Sequence, residues 1–309
     1  MIEFKPIELS DKAWIDECVR AENSRSADFN FANLYMWDET YKQLVANVEG
    51  CMVAKPKYRE HPFFAFPVGG GDKLRALEQL RAYASRQGFP FRVSGITAEH
   101  RALLEQAFPG ALHFEAGRNW FDYIYLAEKL ATLEGKKLHA KRNHINRFLE
   151  NCGGDWHFAS LTPDMLPACR AMLADWTQNY LESGGDPEGL DAERRAIERA
   201  FGHFEYLGLE GGALCVGDRL VAFTVGEKLS ADTYNVHFEK AYADVQGAYP
   251  MINREFVRQV LRLHPETVYI NREDDMGLEG LRKAKQSYDP AFLIEKFEVC
   301  FSGDEPPAP

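Results

Sequence analysis

The sequence predicts an α/β protein with mixed sheets, arranged as two similar halves. Three observations carry this prediction. Segments with strand-like alternation and segments with helical periodicity follow one another along the chain. From residue 212 onward the order reads strand-strand-strand-helix-strand-helix-strand, and the first half shows a looser version, strands followed by helix, strand, helix and strand. No close sequence repeat accompanies this symmetry, which lies only in the order of elements. With 309 residues, 45% apolar and 13% aromatic, the chain can fill one large core or two ordinary ones. The boundary is expected near residue 125, giving an N-terminal half over 1–125 and a C-terminal half over 126–301. The polar, proline-rich tail 302–309 is expected to be disordered.

Taken in order, Ser10-Asp11 predicts a cap for a helix through about Glu22, with Trp14, Ile15, Cys18 and Val19 on one side. The aromatic run Phe31–Trp37 reads as helix, and strands are expected at 43–48, 51–54 and 63–68. Gly69-Gly70-Gly71-Asp72 is read as a strand-to-helix turn opening a helix over 73–87 that Gly88 ends. A strand at 91–96, a helix at 98–108 and strands at 112–115 and 120–126 complete the first half. The stretch after Gly135 is helical by pattern, with Leu138, Ile145 and Leu149 as its apolar stripe. Thr162-Pro163 opens another helix, 183–189 is an exposed loop, and a helix follows near 191–204. Strands are then expected at 213–216, 220–228 and 233–238, with Gly217-Asp218 as a tight hairpin turn. A helix from 249/250 to 263, a strand at 267–271, a helix at 278–286 and a closing strand at 292–301 finish the chain.

Composition excludes several functions. No run of about 18 apolar residues predicts a membrane span, and the first residues lack the basic and apolar segments of a secretory signal. Six cysteines without a CxxC pair fit small apolar fillers in a reducing compartment rather than staples or zinc ligands. The expectation is a soluble cytoplasmic protein. A net charge of −11 argues against broad nucleic-acid binding, which needs a basic surface. GxSxG, HExxH, Walker A and complete GxGxxG motifs are all missing.

Two stretches stand out against this background. Gly135–Phe148 carries Lys136, Lys137, Lys141, Arg142 and Arg147 with no acid among them, and the chain without them stands near −16. These cations would neutralise phosphates of a polyanion without reading sequence, or form a solvated helix face. His139 and His144 are about 140° apart on a helix and cannot hold one metal from it. The second stretch, Tyr269–Gly277, places Glu273, Asp274 and Asp275 where a strand ends and a helix begins. One would cap that helix. The others are candidates to bind a cationic amine or orient an acceptor. His237, on a strand, is a candidate base near neutral pH or a structural histidine.

The strand and helix order after residue 212 resembles the GNAT acyltransferase fold. There the third strand and the strand after its helix splay apart toward an acyl donor, and the first turn of the helix between them holds the donor's phosphates through free N–H groups. The corresponding strands here are 233–238 and 267–271, the latter ending at Asn271, and the helix starts at Asp244-Val245-Gln246-Gly247-Ala248-Tyr249-Pro250. The usual pattern resembles Gln/Arg-x-x-Gly-x-Gly/Ala. This chain keeps Gly247 but has Asp244 and Tyr249 at the flanking places, so Gln246 and Gly247 are donor-contact candidates or parts of an ordinary turn.

The two stretches GKKLHAKRNHINRF and YINREDDMGLEGLRKAKQSYDP resemble an uncharacterised bacterial family similar to the C-terminal synthase domain of phosphatidylglycerol lysyltransferases. The likeness covers about 120–298 well and the N-terminal half by arrangement. It implies a tandem GNAT-like fold whose first half is degenerate, with aminoacyl-tRNA as donor substrate. Lys136, Lys137, Lys141, Arg142 and Arg147 would then grip a tRNA acceptor end, together with Gln246, Gly247 and Asn271. The resemblance also implies that Lys285 stabilises charge developing on the ester, with Lys283 and Lys285 pairing with the acids as the alternative. Tyr288 would protonate a leaving ribose hydroxyl or pack beside Pro290. Glu273, Asp274 and His237 complete the catalytic candidates. Acetyl-CoA as donor, or an inactive RNA- or protein-binding module, are the other readings. The acceptor is an unknown small molecule, peptide or lipid headgroup.

Overall fold

The computed structural model describes residues 2–57, 63–184, 187 and 189–301. The chain forms two units, residues 1–122 with 294–309 and residues 123–293. The tail 302–309 and part of the loop 183–189 lie outside the described residues.

The first unit contains β1 (Lys5–Pro6), α1 (Lys12–Glu22), α2 (Phe31–Met36), α3 (Asp38–Tyr41), β2 (Gln43–Val48) and β3 (Cys51–Pro56). It continues with β4 (Phe64–Ala65), α4 (Lys73–Gln87), β5 (Arg92–Ile96), α5 (Ala98–Ala107) and β6 (Leu112–Ala116). Strands β1, β2 and β3 make an antiparallel sheet. Helix α4 has the expected bounds because both ends are chemically marked. The Asp72 side chain accepts from Arg75 N at 3.0 Å, and Gly88 adopts the left-handed φ of 78° that ends the helix.

The second unit holds β7 (Asp122–Leu126), α6 (Ala127–Thr132), α7 (His139–Cys152), β8 (Trp156–Ser160), α8 (Leu166–Glu182), α9 (Leu190–Gly202) and α10 (Phe204–Leu207). Then come β9 (Glu210–Val216), β10 (Arg219–Lys228), β11 (Thr233–Ala241), α11 (Ala248–Leu263), β12 (Tyr269–Asn271), α12 (Glu279–Gln286) and β13 (Phe292–Ile294). Its sheet runs β13-β7-β12-β11-β10-β9-β8. The pairs from β8 to β11 are antiparallel, β11 and β12 are parallel across the α11 crossover, and β12 and β7 are antiparallel.

Helix α11 anchors this unit. Phe256, Val257 and Val260 pack with Tyr234, Val236, Ile270, Tyr123 and Tyr125 in one buried cluster. Each large apolar side chain so buried contributes about 1.5–3 kcal/mol before entropy is counted. Strand β8 and helix α6 were not expected from the sequence.

The closing strand expected over 292–301 is two strands. β13 joins the seven-stranded sheet, whereas β14 (Phe297–Phe301) pairs with β5 and β6 and completes a sheet of order β4-β5-β14-β6 in the first unit. The mixed sheets and their connections are GNAT-like. All six cysteines are free and five are buried. No helix among the described residues is long and apolar enough to cross a membrane.

Candidate active site

Strand β11 is paired with β12 at only three positions, Thr233–Tyr269, Tyr234–Ile270 and Asn235–Asn271. Beyond them β11 runs on to Ala241 while the chain after Asn271 stays with β7, through Arg272 N to Tyr123 O (3.1 Å) and Tyr123 N to Glu273 O (3.1 Å). The two parallel strands therefore part after Asn235.

At the same point the β10–β11 register shifts between Val225 and Gly226, leaving His237 as the extra residue of a bulge. A Cβ at Gly226 would stand 2.1 Å from the Asn235 carbonyl oxygen, so only glycine allows this approach. The bulge changes which side chains face α11. Tyr234 and Val236 pack in the α11 core before it, and Glu239 bonds Asn253 of α11 after it. Asn235 and His237 point to the opposite side of the sheet from Tyr234 and Val236.

On that side lies a buried acid–imidazole cluster. His237 donates from Nδ1 to Glu273 Oε1 (2.8 Å) and from Nε2 to Glu227 Oε1 (2.9 Å). Its side chain is only 1% exposed. Burial opposes its charge, but the hydrogen bonds to the two carboxylates prevail and push its pKa up to about 9. At neutral pH it is an imidazolium with both nitrogens engaged, which does not suit the base role expected of it.

Asn235 Nδ2 also donates to Glu273 Oε1 (2.8 Å), and the Glu273 amide donates to Asn271 Oδ1 (2.6 Å). Burial raises the Glu273 pKa, yet the His237 bond and charge, with Asn235 and Lys285, bring it below the ordinary carboxylate value. Glu273 has a left-handed φ of 55°, an uncommon conformation for a non-glycine residue. Two acceptors are left over among the described residues, Glu273 Oε2 and the buried Asn235 Oδ1.

The adjacent acids have other tasks. Asp274 Oδ1 accepts from Met276 N (2.8 Å), a turn contact. Asp275 is fully buried and takes a two-pronged ion pair from Arg282 plus the Tyr123 hydroxyl (2.6 Å). Despite burial, these partners hold its carboxyl well below the usual range. The Lys285 ammonium is bound to the carbonyl oxygens of Arg272 and Asp274, so it fixes the backbone that presents Glu273. Lys283 pairs with exposed Glu279 instead (2.6 Å).

A second cluster occupies the α11 side. Arg272 Nη2 donates to Glu239 Oε1 (3.0 Å), and Asn253 Nδ2 to Glu239 Oε2 (2.9 Å). The Arg272 guanidinium lies 4.8 Å from the centroid of the Tyr288 ring, and Lys141 Nζ lies 3.9 Å over that ring. Burial, then the charge of Arg272, lowers the Lys141 pKa to about 8. Burial keeps the Tyr288 phenol protonated well above neutral pH. Lys141 and Arg272 thus both lie against the Tyr288 ring. Arg272, Glu239, Glu227 and Asn235 were not singled out from the sequence. Buried polar residues on apolar strands were the available signal.

The remaining cations divide by position. Lys136, Lys137 and Arg147 are exposed, and Lys137 pairs with Asp289 at 2.8 Å. Arg142 caps the carbonyls of Leu133 and Gly135. On α7 the buried apolar residues are Ile145 and Phe148, with Leu149 only partly buried, because Phe148 rather than Leu149 packs on the start of α11. Gln246 is exposed at that start. Gly247 has φ 85°, and a Cβ there would stand 2.1 Å from the His144 carbonyl oxygen. Its glycine is therefore required by the crossing of α7 over α11.

Residues 20–300 match the family described as "Phosphatidylglycerol lysyltransferase, C-terminal". A crystal structure of a conserved protein of unknown function from Bacteroides thetaiotaomicron is 40% identical, with a TM-score of 0.90, covering 97% of this chain and 100% of that one. The structure of L-PGS from Bacillus licheniformis has a TM-score of 0.65 at 14% identity, covering 96% of this chain and 92% of that one, a likeness of fold. An uncharacterised protein of Mycoplasmoides gallisepticum is 25% identical over 181 residues, 58% of this chain. The match spans just over half of that curated relative, 55% of its length. With the family match running over nearly the whole chain, this protein belongs to the family of phosphatidylglycerol lysyltransferase C-terminal domains.

Proposed function

We propose that the protein is an aminoacyltransferase that moves an activated acyl group, with aminoacyl-tRNA as donor, onto an amine or hydroxyl acceptor. The observation that carries this reading is Glu273. It stands where β11 and β12 part, in a left-handed backbone conformation, with one oxygen pinned by His237 and Asn235. The leftover acceptors, Glu273 Oε2 and Asn235 Oδ1, match a primary ammonium, which has three donors and no acceptor. An aminoacyl ester carries such a group beside its reactive carbonyl.

In the reaction the acceptor's nitrogen or oxygen bonds to the ester carbon and the tetrahedral oxyanion collapses. The ester C–O bond to the ribose then breaks, and the acceptor's proton ends on the departing ribose oxygen. Glu273 anchors the donor ammonium, His237 and Asn271 hold Glu273 in place, and Lys285 holds the backbone from 272 to 274. Positioning of both substrates is the main contribution.

An acetyl-CoA donor is less well supported. Such a donor needs free N–H groups at the first turn of α11, where Pro250 has none and α7 packs against Gly247. The exposed cations Lys136, Lys137 and Arg147 belong to the segment that crosses there.

The test is binding of aminoacylated tRNA, uncharged tRNA and acetyl-CoA to the wild-type protein and to Glu273→Gln. Preference for the charged tRNA, lost in the variant, is the expected result. Acetyl-CoA binding without a tRNA signal would replace this reading with that of an ordinary acyltransferase.

A further inference from the structure

Lys141 behaves unlike the other cations of its segment. Its side chain is turned inward and partly buried, and its ammonium makes no hydrogen bond or ion pair with any described residue. An ammonium withdrawn from water without a counter-ion is unfavourable. Beside it, Arg272 donates to Glu239 from Nη2, but its Nη1 is buried without a hydrogen-bond partner. The charged groups acting on Lys141 are Arg272, beyond the end of β12, and Glu239 of β11. Glu239 balances one of the two cations, so one positive charge remains. The Tyr288 hydroxyl, beside the Arg272 guanidinium, adds a neutral donor.

We propose that Lys141, Arg272 and Tyr288 form an oxyanion-binding subsite that takes the carboxylate or phosphate of the acceptor. A single oxyanion would accept from Lys141 Nζ and Arg272 Nη1 and neutralise the cluster. The subsite lies on the α11 side of the sheet, opposite the Glu273 cluster, so the two substrates reach the parted strands from different faces. Assignment of the anion to the acceptor rests on the transferase reading above. The existence of the subsite does not.

The experiment is calorimetric titration of the full chain with sulfate and with acetate, whose charges are constant between about pH 7 and about pH 9. The variants are Lys141→Met, which keeps the stem on the Tyr288 ring, and Lys141→Arg, which keeps the charge. Wild type is expected to bind one anion saturably, and Lys141→Met to weaken it about tenfold or more, as for one charge-assisted hydrogen bond. Lys141→Arg should restore binding. Because the Lys141 ammonium loses its proton around pH 8, wild-type binding should weaken about tenfold from pH 7 to pH 9, and Lys141→Met should not show this dependence. Preference for sulfate points to a phosphate-bearing acceptor and preference for acetate to a carboxylate.

The absence of saturable binding by wild type, or equal binding by a folded Lys141→Met, overturns the subsite. Binding is read without turnover, so a failed tRNA experiment leaves this result standing. Conversely, loss of the subsite leaves the Glu273→Gln comparison untouched.

Discussion

At the scale of single residues, the candidate site depends on a cation enclosed by carboxylates. His237 has a folded pKa of about 9 against an ordinary 6.5, so its contribution to stability is complete below the unfolded value and is lost as pH rises through about 9. Urea midpoints should therefore fall across that interval, and His237→Gln should flatten the dependence. The truncation His237→Ala leaves Glu227 and Glu273 facing each other without the imidazolium, and should cost about 3–5 kcal/mol in denaturant unfolding. Glu273 and His237 were legible as candidates because charged and ring side chains at a strand end draw attention. Their bond to each other was not, since they are 36 positions apart. Nor was the part played by Glu227 and Glu239. The bulge at His237 changes which way β11 side chains point, and a simple two-residue alternation assigns them wrongly.

At the scale of elements, legibility followed the strength of the end signals. Helix α4 was readable because an aspartate and a glycine bracket it. Helix α6 follows directly on β7 and ends at Leu133 in a left-handed conformation rather than at a glycine, so nothing in the sequence marks its limits. Strand β8 has half-exposed residues on an outer edge of the sheet and shows little apolar alternation. The crossing of α7 over α11 yields a direct test. Gly247→Ala adds a methyl where the His144 carbonyl already stands and forces a positive φ on alanine. A loss of about 1–3 kcal/mol in thermal or urea unfolding is expected. An unchanged midpoint would mean that the two helices can separate without penalty.

At the scale of the whole molecule, a chain of net charge −11 presents one cationic segment. The triple variant Lys136→Glu/Lys137→Glu/Arg147→Glu should weaken tRNA binding and shallow its dependence on salt by about one logarithmic unit per lost phosphate contact. Its unfolding midpoint should barely move, because these side chains are exposed and the Lys137–Asp289 pair is worth little. The return of β14 has a different consequence, which concerns the order of synthesis. This strand lies between β5 and β6, the neighbours that flank it in the first unit. A ribosome must release residues 123–293 before that place can be filled. Until then the nascent chain carries strand edges without their final partner, the kind of surface on which chaperones act. The N-terminal unit is translated first and completed last.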